Sequence, residues 1–371
     1  MRLKHFTLLL WIALFLVVGE VALEYRAKSR GFGTLLLSGR GLSGANNTAV
    51  TAEHGFGPTE DYPFRSRVVP VAKPAGTTRI WIASASYAED RRWAASEIFP
   101  VLLEDELRAR GHDVQVLNAS SNAYSLATAA KVLHEEGPRW QPDLVLAYHF
   151  SNDLDELAPR LLAVGGGGAP NATESRGEGP DGPDAAANTD ADEGTPRTEQ
   201  ERWITSRVVE ATTAYAQAKN QFKARIVALR ILTDRLPPAL LDALEERVEA
   251  VHGEARALGA DFVPVRFAVS DPTSSSGPMP IAYRNNLFRY NSYLSEQAWR
   301  TGVDDYNALL VELAARDGLD LVGLDAALSG NGAYFRDFCH LTREGHAAAA
   351  KALADQLEPL LAARANEEGG E

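Results

Sequence analysis

Short apolar runs alternate along this chain with longer stretches of helical period, and the alternation predicts its architecture. Residues 79–83 (Arg-Ile-Trp-Ile-Ala), 114–117, 144–148, 262–267 and 319–322 read as brief buried strands. Helices are expected over about 94–110, 125–136 and 304–316. Another should follow Thr342, with Leu353, Leu357 and Leu360 on its core-facing stripe. From Trp203 to about Leu258 the period is again helical, but Pro237-Pro238 interrupts it. Such a pair suits the first turn of a second helix rather than the interior of the first, so a helical hairpin is expected. Strands alternating with amphipathic helices imply an α/β domain whose mostly parallel sheet is covered on both faces. In such sheets the carboxyl ends of the strands form the site, and the Ser- and Pro-rich loop 271–280 belongs at that end.

The flanks differ in pattern. Met1 to His5 is a short basic head, and Phe6 to Gly19 is apolar without interruption before Glu20. Residues 1–24 are therefore expected to act as an uncleaved signal anchor or transmembrane helix, in preference to a cleaved signal peptide. Basic residues on both sides leave orientation open. Residues 25–76 carry scattered Gly, Ser, Asn and Pro without period and read as a stalk or wrapping segment, so the folded domain is expected over 77–363. Within it, 165–200 is Gly-, Pro- and acid-rich with almost no large apolar side chain, and a disordered surface insertion is expected, or else a lid. Residues 201–258 form the helical excursion, and 364–371 a disordered tail.

Composition narrows the function. A formal net charge of -13 disfavours nucleic acid and anionic membrane surfaces, which both demand a basic patch. The single cysteine, Cys339, excludes an internal disulfide and reads as a small packing residue rather than a nucleophile. The eight histidines show no metal-ligand spacing, and no phosphate-binding loop follows a strand, so neither metal nor cofactor is expected.

The chemistry gathers near the C-terminus, in Asp337-Phe-Cys-His340-Leu-Thr342-Arg-Glu344-Gly345-His346. A serine hydroxyl is a poor nucleophile at neutral pH and needs an imidazole to take its proton and a carboxylate to orient that imidazole. Asp337 and His340, three residues apart in a loop before a helix that Thr342 would N-cap, can supply both. Two serines compete for the nucleophile's place, Ser84 and Ser86, where the 79–83 strand breaks off. His346 lies inside the helix and reads as structural, and His149 reads as a satisfied core residue on an apolar strand.

Together with Ser84-Ala85-Ser86, Asn118-Ala-Ser-Ser-Asn122-Ala123-Tyr124 and Phe150-Ser151-Asn152-Asp153, this block resembles the SGNH (GDSL-like) hydrolase superfamily in content, order and spacing. The resemblance implies a three-layer α/β/α, flavodoxin-like fold with a central parallel sheet. It implies Ser86 as nucleophile, His340 as general base and Asp337 as its orienting acid. It also implies an oxyanion hole made by the backbone N–H groups of Ser86 and Ala123 and the side-chain amide of Asn152. The chain departs from the family pattern where Ser84 and Ala85 replace Gly-Asp, and where Ala123 and Phe150 replace glycines. Alanine is tolerable at 123 provided its φ is not positive. The expected activity is hydrolysis or transfer of an O-acyl ester carried by a small molecule, lipid or polysaccharide, with the domain outside the membrane. The altered blocks keep a non-catalytic glycan- or partner-binding module as the alternative.

Overall fold

A computed structural model describes residues 54–59, 61–164, 233–291 and 294–368. The expected anchor (1–24), the 165–200 insertion and the first arm of the helical hairpin lie outside the described residues. No helix among the described residues is long and apolar enough to cross a membrane.

Among the described residues, five strands form one sheet: β1 (Thr78–Ala83), β2 (Val114–Asn118), β3 (Leu144–Ala147), β4 (Asp261–Arg266) and β5 (Val322–Gly323). Their order is β2-β1-β3-β4-β5, and every pairing is parallel. This is the flavodoxin-like 2-1-3-4-5 order, whose topological switch point lies between β1 and β3. The strand interiors are buried throughout, so they read as continuous apolar runs rather than alternating ones.

The helices are α1 (Ser86–Glu89), α2 (Phe99–Ala109), α3 (Leu126–Trp140), α4 (Ser151–Val164), α5 (Pro238–Ala257), α6 (Ile281–Tyr290), α7 (Glu296–Asp317), α8 (Asp325–Leu328) and α9 (Arg343–Glu368). α2 packs on α9 in one layer, while α3 packs on α5 and α5 on α7 in the other. Pro238 opens α5 at its first turn, where a missing N–H costs no intrahelical bond. The stripe of α9 runs through Leu353, Leu357 and Leu361, all buried, with Leu360 half-buried beside it.

Several boundaries differ from expectation: α7 starts at Glu296 rather than near 304, β5 is Val322–Gly323 rather than 319–322, α6 falls where no helix is expected, and the domain's two limits move. The core reaches back before Thr77: Tyr62 and Phe64 are 2% and 3% exposed. Their rings meet those of Trp140 and Trp81 edge-on at 5.0–5.3 Å. Isolated aromatics in a Gly- and Pro-rich stretch carry no period, so sequence patterning missed them. Arg79 helps hold this segment, its guanidinium donating to the carbonyls of Pro70 and Val71 and to Gln115. At the other end, α9 continues to Glu368, past the expected limit of 363.

Candidate functional site

The polar groups collect at the carboxyl ends of β1, β2 and β3, on the switch point of the sheet. Ser86 is the first residue of α1, immediately beyond β1. Its Oγ lies 2.9 Å from His340 Nε2. On the other side of the imidazole, Nδ1 lies 2.8 Å from Asp337 Oδ2 and 3.0 Å from Oδ1. An ionised carboxylate accepts only, so Nδ1 carries the proton and Nε2 is left free to accept from the serine. Ser84 is turned away: it is fully buried and donates to the Tyr148 carbonyl at 2.6 Å.

The Asp337–His340 turn is built locally. The backbone N–H groups of Cys339 and His340 donate to Asp337 Oδ1 at 3.0 and 2.7 Å. Burial alone would raise the Asp337 pKa. The charge and hydrogen bond of His340, the nearby Arg336 and the Cys339 N–H reverse this and hold the carboxyl well below its usual range. Thr342 caps α9 as expected, its Oγ1 accepting from Gly345 N at 3.1 Å. Gly345 is required there, since a Cβ would fall 2.1 Å from the Tyr334 carbonyl oxygen.

Across the site, Ala123 sits in the loop after β2 and Asn152 in the first turn of α4. Asn152 Nδ2 donates to the Tyr124 carbonyl at 2.9 Å, which joins these two segments and leaves its second amide hydrogen over. Asp153 Oδ1 accepts from the Leu126 N–H at 2.9 Å and from Arg247 of α5 at 2.8 Å, so it ties α4 to the start of α3. The neighbouring Asn122 N–H reaches Glu89 Oε2 of α1 at 2.6 Å. Arg247 carries no motif, and the roles of Glu89 and Asp153 as ties between segments are visible only in three dimensions.

Ala123 departs from the stated condition: its φ is +61°. Glycine adopts this left-handed region freely, whereas a Cβ there costs about 1–2 kcal/mol. Hydrogen bonds at Asn122, Tyr124 and Leu126 flank this residue on either side.

The remaining candidates resolve as follows. His346 is fully buried, with Nδ1 accepting from Phe99 N at 3.2 Å and Nε2 lying 3.3 Å from Asp90 Oδ2. His149 is also fully buried, but it is not satisfied: neither ring nitrogen has a hydrogen-bond partner, and Nδ1 lies 3.5 Å from Asp153 Oδ2. Burial first, then the charge of Asp337, push the Cys339 thiol up, so it is no thiolate. Asp337, Cys339 and His340 are the sole trio among the described residues close enough to share a cation. Both imidazole nitrogens there face protein partners and the thiol stays protonated, a poor donor set for a metal. One partner of Asp337 escaped the sequence altogether: Asn286 Nδ2 of α6 donates to Oδ2 at 3.1 Å.

No protein-family model matches this chain, and no curated protein matches it significantly. Solved structures similar to it include a catalytic mutant of an acetylxylan esterase from Geobacillus stearothermophilus, at 11% identity, covering 78% of this chain and 96% of that one, with a TM-score of 0.43. A psychrotrophic esterase from Pseudoalteromonas is 12% identical, covering 76% and 98%, with a TM-score of 0.41. A GDSL-like lipase from Bacteroides thetaiotaomicron is 10% identical, covering 77% and 89%, with a TM-score of 0.38.

Proposed function

We propose that this chain is a serine ester hydrolase of the SGNH type, in which Ser86 attacks an O-acyl carbonyl with His340 as general base and Asp337 as its orienting acid. The observation that carries this is the unbroken chain Ser86 Oγ, His340 Nε2, His340 Nδ1, Asp337 Oδ2, with contacts of 2.9 and 2.8 Å. His340 Nε2 takes the Ser86 proton as Oγ bonds to the carbonyl carbon, and the oxyanion is held by the N–H groups of Ser86 and Ala123 and the Asn152 amide. The imidazolium then protonates the departing alkoxide. Water, deprotonated by the same nitrogen, releases the acyl group and restores Ser86 Oγ–H. No metal or cofactor enters these steps.

Labelling by a fluorophosphonate tests the nucleophile. Wild type and Ser84→Ala are expected to label, and Ser86→Ala and His340→Ala are not. A folded wild type that stays unlabelled would sink the hydrolase reading and favour a binding module. Residues 1–24 would anchor the domain outside the membrane, so an O-acyl group on a cell-surface carbohydrate is the substrate class we propose. Acetate release from acetylated glycans supports it; hydrolysis of long-chain esters alone would replace it with a lipase.

A further inference from the structure

We infer that Asn286 is a positioning residue for Asp337, a fourth side chain in the Ser86–His340–Asp337 chain; this rests on the hydrolase reading above. Asn286 lies on α6, in a part of the sequence that no motif marks. One stripe of that short helix meets the loop carrying the acid. Tyr283 Oη donates to the Phe335 carbonyl at 3.0 Å, and Asn286 Nδ2 donates to Asp337 Oδ2 at 3.1 Å. Leu287 is fully buried, and the Tyr290 ring faces Phe338 at 6.5 Å. Positions 283, 286, 287 and 290 follow the i, i+3, i+4, i+7 spacing of a single helix face.

α6 is itself fixed at both ends. At its start, Glu296 of α7 accepts from the Met279 N–H just before the helix at 3.0 Å and from Arg284 in its first turn at 3.2 Å. Arg300, one turn further along α7, binds Asp271 and the Gly277 carbonyl. After it, Asn291 Nδ2 reaches Ser151 Oγ at 3.2 Å, next to Asn152. A donor fixed this firmly can do more than satisfy a lone pair. Asp337 Oδ2 faces His340 Nδ1 and Asn286 together, so the amide holds the carboxylate plane towards the imidazole and withdraws part of its charge.

The ionisable groups around Asp337 are His340, Arg336 and Cys339 on its own loop and Tyr283 on α6. Asp90 lies beyond, at 3.5 Å from Arg336. Burial first, and the charge of Asp337 second, raise the Tyr283 hydroxyl above its usual range, which accords with a carboxylate ionised beside α6.

The test uses the full chain and p-nitrophenyl acetate, with variants Asn286→Ala, Asn286→Asp and Asn286→Gln. Asn286→Ala is expected to lower kcat by roughly tenfold with KM within about twofold, because the donor acts through Asp337 and His340 rather than on substrate. The low-pH limb of kcat/KM should move to higher pH, since a carboxylate that loses a donor holds the neighbouring proton more strongly. Asn286→Asp keeps the shape and places a second carboxyl on Oδ2, so it should lose more activity and move the limb further. Asn286→Gln, which keeps the donor, should recover part of kcat. Wild-type kcat and pH profile in folded Ala and Asp variants would overturn the inference. So would a fall in kcat with the profile unmoved, which marks a merely structural side chain. Should Asn286→Ala fail to fold, the Asp and Gln variants decide by the same criteria. A wild type that neither hydrolyses the ester nor takes the fluorophosphonate overturns the hydrolase reading itself, and the wild-type arm alone reports that.

Discussion

Asp337 receives the N–H groups of Cys339 and His340 from within its own turn, two and three residues away. Ala123, across the site, is set in place by Glu89 acting on Asn122 over 33 residues, Asn152 on Tyr124 over 28, and Asp153 on Leu126 over 27. The Asp337 turn is therefore closed mainly by its own backbone, with Asn286 of α6 added from a distance, and the Ala123 loop by side chains brought in from α1 and α4. A locally built turn tolerates change elsewhere in the fold. A loop held from a distance is weakened when one of its remote holders is lost.

Breaking the local side has the largest expected effect. Asp337→Asn should lower kcat by about 10³–10⁴-fold, because an amide in place of the carboxylate favours the wrong imidazole tautomer. Single-turnover acylation with p-nitrophenyl acetate would measure it, and a loss below about tenfold would remove Asp337 from the mechanism. The same carboxyl makes a pH prediction. Its folded pKa lies below its unfolded one, so its stabilisation is complete above the unfolded pKa and is lost as pH falls through the folded value. Wild type should accordingly lose stability below about pH 4, and Asp337→Asn should show a flatter acid limb in denaturant titrations.

Next comes Asn152, the proposed oxyanion donor. Asn152→Ala should cost about 100–1,000-fold in kcat, with KM little changed, if the second amide hydrogen binds the developing charge. The remote holder should matter less for rate and more for stability. Asp153 is fully buried and bonded to both Leu126 and Arg247. Asp153→Asn should destabilise by about 1–3 kcal/mol, since Arg247 loses a buried charge partner, and lower kcat by roughly tenfold as the loop carrying Ala123 relaxes. Full rate in a destabilised variant would show that the loop holds its shape without Asp153.

The same contrast explains what the sequence revealed. Apolar runs bounded by turn residues made the individual strands readable, although they pair over 36 to 117 residues, and the compact spacing of Asp337, His340, Thr342 and Gly345 made the C-terminal turn readable because its contacts are near neighbours along the chain. Ser86 was preferred to Ser84 through the family resemblance rather than by its own residues, and in the structure Ser84 is bonded to the Tyr148 carbonyl while Ser86 Oγ meets His340. Tyr62, Phe64, Asn286 and Arg247 were not readable. Each works through a partner between 51 and 94 residues away for the last two, or through ring packing across the sheet for the first two, and no local pattern encodes that. The sign of φ at Ala123 was equally hidden, since alanine signals no turn.

That sign leads to the smallest predicted effect. Ala123 at φ +61° carries a Cβ in a region where glycine has no penalty. Ala123→Gly removes the strain in the folded state but adds conformational freedom to the unfolded chain, which opposes it by about 0.4–1 kcal/mol. The strain should exceed that entropy, so the variant should gain from a few tenths to about 1 kcal/mol of stability in urea unfolding. A loss of stability would mean that the alanine methyl contributes packing in the loop that outweighs the strain. Combining it with Asp153→Asn sharpens the comparison. If Asp153 serves to force Ala123 into this conformation, glycine should restore part of the rate lost in Asp153→Asn, because the backbone then reaches the same geometry without being held there.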